Sequence, residues 1–582
     1  MRKQANNPPQ LLQSDQIEGK VLDHLGLIAS VIHKIGLIEL IDKELPVSME
    51  QGAKVTMGER VAAMVMNALG FIDDRLYMFP EFMRNKPISR LFGKELSADY
   101  FNDDAIGRCL DAIYEHGTTQ LFSKLAFSIG TTWKLFGRTS RLDTTSLSVY
   151  GEYLSSEDGR TEEASDNESE QPLKVTYGYS KDHRQDLKQV ILLMAVSGAS
   201  GFPMWMESHS GNASDQKTLQ QAAQRMKNLC QEIKDAPSFI FVGDSAMYCA
   251  CVEKGDDLVW LSRVPRSIGN AKQLEETPDS EIKWVDMPDD DLQLRQEREA
   301  SRYKICEFDS CYGGVEQRWL LVSSEEGRKA GLATLKASVA KEKDKLTTMI
   351  ETLSHKAFFC GKDAERYFKT KVEKTAKYHD FKYEIKVLTQ HEGKGRPKNG
   401  AKPEKFKECR ILVSLSESRA KIEAAAVSAG RFILATNELN KARLSSPDML
   451  LEYKQQSKVE RGFKFIKGNT FQVSSIFLKK PERIDALMMV MVLSLMVYGL
   501  AEFWLRESLS KHNETIPSQL KKPTDKPTMA WVARLFHGVQ VLTISFDEHH
   551  QQELVSNLNA VTKRIIRHFG SEAMRIYGLA EA

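Results

Sequence analysis

The sequence is short of most features that would assign it to a special environment. It has no apolar stretch of the ~20 residues that a bilayer-crossing helix needs. The most apolar run, 486–501 (ALMMVMVLSLMVYGLA), is 16 residues long between Asp485 and Glu502 and reads as a buried helix. The opening MRKQANNPPQLLQSDQ lacks an apolar h-region and a small-residue cleavage site, so no secretory signal is read there and the protein is expected in the cytoplasm. Eight cysteines are scattered through the chain, and the close pairs Cys249/Cys251 and Cys306/Cys311 lack the paired two-residue spacing of structural zinc sites. Ordinary reduced thiols are the expectation. There is no Walker A phosphate loop, no internal repeat and no convincing helix-turn-helix pattern. Excess charge is missing too: 81 basic against 79 acidic side chains leave +2, so any nucleic-acid contact must come from local clustering.

Such a cluster is present. Residues 454–483 hold Lys454, Lys458, Arg461, Lys464, Lys467, Lys479, Lys480 and Arg483 against Glu460 and Glu482, a balance of 8 − 2 = +6. The chain is also long enough, at 582 residues, for two or three domains. After a disordered tail at 1–16, residues 17–130 read as helical, with apolar residues at three- and four-residue steps, a capping box from Thr56 to Glu59 and a start signal at Asn102 and Asp103. A helical scaffold and a DNA-end recognition domain are both consistent with this region.

From Arg138 the pattern changes to strands. RLDTTSLSVYGEY, QVILLMAVS and PMWMES precede a helix capped near Asn212 and Ser214, with an acidic low-complexity loop at 155–171. Phe239 to Val242 is a short continuous apolar run, as in a central strand covered on both faces, and LVWLSRVP follows at 258–265. This alternation predicts an α/β core with a mixed sheet over 138–265. Residues 266–428 break the rhythm and read as an inserted α+β subdomain, containing a polar helix over about 331–353 and a basic Gly/Pro loop at 393–407. The core resumes at 429–510 with RFILATN, one helix over about 448–467 and the apolar helix. Residues 511–582 read as a C-terminal helical region, entered by the linker KKPTDKP.

Three acids stand where chemistry is expected: Asp143 in the first core strand, Asp244 at the end of the apolar strand, and Glu460 on the helix after the last strand. Open α/β sheets gather ligands beyond the carboxyl ends of their strands. Along LLEYKQQSKVERGFKFIKG, Tyr453, Gln456, Glu460 and Lys467 fall within an arc of about 60° if the helix is continuous. Val459, Phe463 and Ile466 form the apolar stripe beside them.

With Tyr453, Glu460 and Lys467 in place, the segment resembles the Tyr-x2-Arg-x3-Glu-x6-Lys signature of DDE transposases from one large branch of bacterial insertion sequences. The resemblance extends to LDTTS around Asp143, YGYSKDHRQDLKQ at 177–189, SGNASD at 210–215, FVGDSAMY around Asp244, RVPRS, and FILATN, and spans roughly residues 20–510. It departs at one place, because the family's arginine is Gln456 here. Glutamine donates a hydrogen bond but brings neither charge nor a bidentate fork.

The resemblance implies a ribonuclease-H-like core and an enzyme that cleaves the ends of an insertion sequence and joins them to target DNA. Asp143, Asp244 and Glu460 would be catalytic and would hold two Mg²⁺ ions, with Mn²⁺ able to substitute. Hard divalent ions prefer such oxygen donors. Tyr453, Gln456, Lys467, Lys464 and Arg461 would contact double-stranded DNA, and paired ends imply a homodimer on DNA without a membrane or nucleotide cofactor. Lys181, Asp182, His183 and Arg184 match a family motif but read equally as a polar turn, and stay outside the catalytic set. Two alternatives remain: a DNA-binding regulator of transposition that has lost activity, and a ribonuclease-H-like nuclease without strand transfer.

Overall fold

The computed structural model describes residues 17–47, 53–70, 78–149, 173–233, 237–254, 257–287, 302–389, 406–468, 478, 480–547 and 550–579. The expected tail at 1–16, the acidic loop at 155–171 and nearly all of the basic Gly/Pro loop lie outside the described residues. The chain divides into two compact units, one of residues 1–260 and 454–582, the other of residues 261–453.

The first unit opens with a strand, β1 (Ile17–Val21), so the expectation of an all-helical N-terminal domain is corrected at its first element. Helices α1 (Leu25–Lys34), α2 (Leu37–Glu44), α3 (Met57–Leu69), α4 (Phe79–Arg84), α5 (Ile88–Phe92), α6 (Asp103–His116) and α7 (Thr118–Thr132) follow. Their starts are encoded locally. The Thr56 hydroxyl accepts from the Glu59 amide at 3.2 Å while the Glu59 carboxylate accepts from the Thr56 amide at 2.9 Å, and Asn102 caps α6 through the Ala105 amide.

Four strands then build a sheet in the order β4-β3-β2-β5: β2 (Thr139–Val149), β3 (Lys188–Ser197), β4 (Phe202–Ser210) and β5 (Ile240–Gly243). β2, β3 and β4 pair antiparallel, and β2 pairs parallel with β5. This mixed α/β arrangement is the ribonuclease-H-like core. β3 is buried along all but its first residue, which accounts for the unbroken apolar run of its sequence. Helices α8 (Asp215–Glu232) and α9 (Ser245–Lys254) complete this part.

The second unit contains β6 (Trp260–Arg263, starting at the boundary), α10 (Gly269–Glu276), β7 (Val285–Asp286), β8 (Tyr303–Tyr312), β9 (Val315–Ser324), α11 (Glu325–Ser354), α12 (Gly361–Lys371), β10 (His379–Thr389), β11 (Phe406–Glu417), α13 (Arg419–Val427), β12 (Arg431–Thr436) and α14 (Ser446–Lys454). Strands β6-β12-β9-β8-β7 pair antiparallel in that order. A buried Arg318 organises their far end. Its guanidinium donates to both oxygens of Glu307 and to the carbonyls of Glu438 and Leu444. The α11–β11 part has a core of its own, built from Leu346, Leu353, Phe358, Ala364, Phe368, Val372, Cys409 and Ile411.

The chain returns to the first unit with α15 (Ser457–Ile466) and α16 (Pro481–Lys511). The single helix expected over 448–467 is divided by a turn at Gln455 and Gln456, so the arc computed for a continuous helix does not apply. α16 is 31 residues long, far beyond the 16-residue run, and is by length and composition apolar enough to cross a membrane. Its apolar window is 72% buried inside the fold, against α1, α3, α6, α7 and β4. Burial, not shortness, makes it a core helix.

The expected C-terminal helical region is also corrected. It holds β13 (Ile516–Pro517), β14 (Pro523–Thr524), α17 (Met529–Leu535), β15 (Gln540–Asp547), β16 (His550–Ser556), α18 (Ala560–Phe569) and α19 (Ser571–Ile576). β1 joins the β15–β16 hairpin as a third strand, so the two ends of the chain share one sheet. Local pattern could not reveal that partnership, because β1 finds its hydrogen bonds on β15, more than five hundred residues away.

Candidate active site

Two of the three expected acids are carried by paired strands. Arg141 on β2 lies opposite Val242 on the parallel strand β5, the last pair of that ladder, and Asp143 and Asp244 each follow it by two residues. Paired strands lie ~4.8 Å apart. Asp143 is the half-buried position in an otherwise buried stretch of β2, and its Oδ1 accepts from the Thr144 amide at 2.8 Å. Asp244 is exposed where β5 ends, and its Oδ1 accepts from the Ala246 amide at 2.9 Å at the start of α9.

Glu460 approaches from α15, which packs on β2 and β3. The contact is close because position 462 is glycine: a Cβ there would come within 2.9 Å of the Met194 methyl and 3.0 Å of Leu495. Met194 is the cross-strand partner of Asp143. At the start of α15, the Gln456 amide Nε2 donates to the Leu142 carbonyl at 2.8 Å, and Arg141 donates to the Gln455 side chain at 2.8 Å. These two bonds fasten the turn between α14 and α15 to the strand that carries Asp143. Glu460, one helical turn after Gln456, is exposed.

Gln456, expected as a DNA contact, also ties the start of α15 to β2. Its nitrogen is committed to Leu142, and its Oε1 is buried without a hydrogen-bond partner. Tyr453 belongs to the second unit, where its ring lies 6.4 Å from Phe432. Arg461 and Lys464 are exposed on α15. Lys467, at its C-terminal end, donates to the Asp182 carboxylate at 2.6 Å.

The loop 177–187, left outside the catalytic set, reaches the site. The Lys181 ammonium donates to the Thr144 carbonyl at 2.8 Å and to its hydroxyl at 2.7 Å, and lies 3.6 Å from Asp143 Oδ1. Adjacent residues of one loop thus meet an expected metal ligand and an expected phosphate contact. Glycines make the approach possible. A Cβ on Gly178 would stand 1.9 Å from the Gly211 carbonyl oxygen, and one on Gly211 would stand 2.2 Å from that of Gln189. The YGY and SGN segments are close-packing devices that seat the loop, and a Lys-Asp dipeptide in a glycine-bounded turn was the available signal. Arg184 is instead held by both oxygens of Asp186.

Three carboxylates supply the all-oxygen donor set that suits a hard divalent cation. They are not drawn into a ready cluster: among the described residues, no three His, Cys, Asp or Glu side chains stand close enough to share an ion. The donor chemistry fits a metal, and Asp143 and Asp244 are the pair best placed to begin holding one.

Residues 142–497, more than half the chain, match the family model described as the transposase DDE domain. The chain belongs to this transposase family. Asp143, Lys181, Asp244 and Glu460 lie inside the matched region, while residues 17–127 of the transposase match a domain of unknown function, DUF4277. One similar solved structure is a piggyBac transposase synaptic complex with hairpin DNA, at 11% identity over 89% of this chain and 80% of that one, with a TM-score of 0.34. No curated protein matches the chain.

Proposed function

We propose that this transposase nicks the ends of a bacterial insertion sequence and joins the released 3′-hydroxyls to target DNA, acting in the cytoplasm as a homodimer on double-stranded DNA. The reading is supported by one observation above all, the parallel pairing of β2, which carries Asp143, with β5, which ends just before Asp244, and the fastening of α15 and its Glu460 to β2. Bound there, two Mg²⁺ or Mn²⁺ ions would supply activation of the attacking oxygen and neutralisation of the leaving one. Asp143, Asp244 and Glu460 would hold them. Lys464 and Arg461 would hold end phosphates as exposed cations, and Lys467 would join them once released from Asp182. Tyr453 is assigned a contact to the same strand. Gln456 keeps α15 in register and leaves the phosphates to its neighbours.

The test is Mg²⁺-dependent cleavage of a fragment carrying the element's end, with native protein and with Asp143→Ala, Asp244→Ala and Glu460→Ala. Loss of cleavage in all three with end binding retained is the expected result. Retained cleavage in any of them would remove that residue from the triad. Strand-transfer products distinguish a transposase from a nuclease that only cuts, and hairpin ends among the products would identify the excision route. A second reading, a DNA-binding regulator that does not cut, is favoured by the Lys181 ammonium beside Asp143. It predicts no cleavage by the native protein on its true ends.

A further inference from the structure

The chain as a whole is almost neutral, yet its charge is unevenly placed. Residues 325–389 and 406–428, which form α11, α12, β10, β11 and α13, carry 19 basic and 13 acidic side chains, a net +6 against +2 for the whole sequence. The rest of the protein is therefore net acidic. This segment has its own buried core, so the excess is displayed on a packed scaffold. Nothing in the metal-site reading uses it.

One concavity on this scaffold concentrates the charge. A groove of about 400 Å³ between α11 and α12 is lined by Lys345, Lys356 and Lys371, with no acidic side chain in its wall. Its floor is apolar, from Met349, Leu353 and Val372, and Leu353 and Val372 belong to the core beneath. The Lys356 ammonium lies 3.8 Å from the centre of the Tyr367 ring and 5.7 Å from that of Phe358, which holds it over the groove without neutralising it. Lys345 lies on α11 nine residues before its end at Ser354, ~14 Å along the axis, and Lys356 follows two residues past that end. One strand of a duplex carries a phosphate per ~3.4 Å of axis, so that span offers each ammonium a separate phosphate. Threonines 348 and 352 line the wall between the two lysines.

We propose that this groove is a second DNA site of the transposase, taking the sugar–phosphate backbone of duplex DNA without reading its sequence. The proposal rests on the transposase reading only in naming DNA as the polymer. The three lysines provide compact point charges, which suit phosphate oxygens irrespective of base, and the groove presents no set of amide or guanidinium forks for base edges. It lies in the second unit, away in sequence from the basic residues of α15, and so adds duplex contacts that the active-site cations do not supply.

The experiment measures binding of the full-length protein to a duplex of random sequence in EDTA, where cleavage is silent, across a salt series. The variant carries Lys345→Gln, Lys356→Gln and Lys371→Gln together. Each lost phosphate contact lowers the slope of log affinity against log salt by ~0.9, so the triple variant is expected to fall by about 2 to 3 in slope and at least roughly tenfold in affinity at 0.1 M salt. A matched control, Lys329→Gln, Lys336→Gln and Lys343→Gln, removes the same charge from exposed positions on the other side of α11 and is expected to leave the slope nearly unchanged. Thermal melting of both variants checks that the fold is kept. An equal fall in slope for both triples would overturn the site in favour of diffuse attraction. Unchanged binding by the groove variant would overturn it outright, as would binding of heparin with the same lysine dependence and strength, which marks a general polyanion site. Metal-triad failure would appear only in the cleavage assay, so the two outcomes stay separate.

Discussion

Replacing Lys181 by glutamine tests the arrangement around Asp143 directly. The ammonium stands 3.6 Å from the carboxylate, with the two side chains 32% and 23% exposed. At an effective dielectric of ~20, two unit charges at that distance attract by ~4.6 kcal/mol, and solvent screening of such partly exposed pairs brings the realised value to about 1 kcal/mol. A divalent ion entering at Asp143 has to compete with that attraction. Removing the ammonium should therefore tighten Mn²⁺ binding by about fivefold, since 1.4 kcal/mol corresponds to a factor of ten. Calorimetric titration of the full-length protein with Mn²⁺, without DNA, reads the constant. The Thr144 contacts of Lys181 are neutral, so Lys181→Gln preserves part of the local hydrogen bonding while removing the charge. Weaker Mn²⁺ binding by the variant would refute the reasoning, because it would make Lys181 a support of the metal site instead of its competitor. An unchanged constant would show that Asp143 does not bind the ion.

Three further outcomes follow from particular contacts. Gln456→Leu removes the bond to the Leu142 carbonyl, worth about 1 kcal/mol, and should lower cleavage roughly tenfold while end affinity stays within about twofold; a loss of affinity at unchanged rate would return Gln456 to the phosphates. His24 is buried, with Nε2 against the Leu69 carbonyl, and burial pulls its pKa from 6.5 down to about 4. Between those values the unfolded chain binds the proton and the folded one does not, so stability falls as pH drops from 6.5 to 4, by up to about 3 kcal/mol. Denaturant melts at both pH values should show it, and His24→Gln should reduce the pH-dependent difference. Arg318→Met leaves the Glu307 carboxylate to Lys441 and Ser446 and strands two carbonyls, and should cost about 2–3 kcal/mol in thermal or denaturant unfolding; a change below about 1 kcal/mol would show that the network contributes little to the fold.

Much of this protein was determined by its sequence alone, wherever the signal was local. Helix starts at Thr56 and Asn102 are written in side chains that cap their own turn, and the buried strands β3 and β5 announce themselves as apolar runs. The acids Asp143, Asp244 and Glu460 were visible because each interrupts or ends a segment whose pattern marks a strand or a helix. What the tertiary structure decided depends on partners distant in the chain. β1 is a strand because β15 offers it a ladder, and α16 is a core helix because eight other elements pack on it. The break at Gln455 and Gln456 is held by Arg141 and Leu142, more than three hundred residues earlier, and that contact ties the helix carrying Glu460 to the strand carrying Asp143. Lys181 reaches Asp143 only because two loops lacking Cβ atoms pass within contact of each other. Spacing along a chain records which side chains share a helix or strand, whereas the placement of one charge beside another across a sheet is set by register and packing.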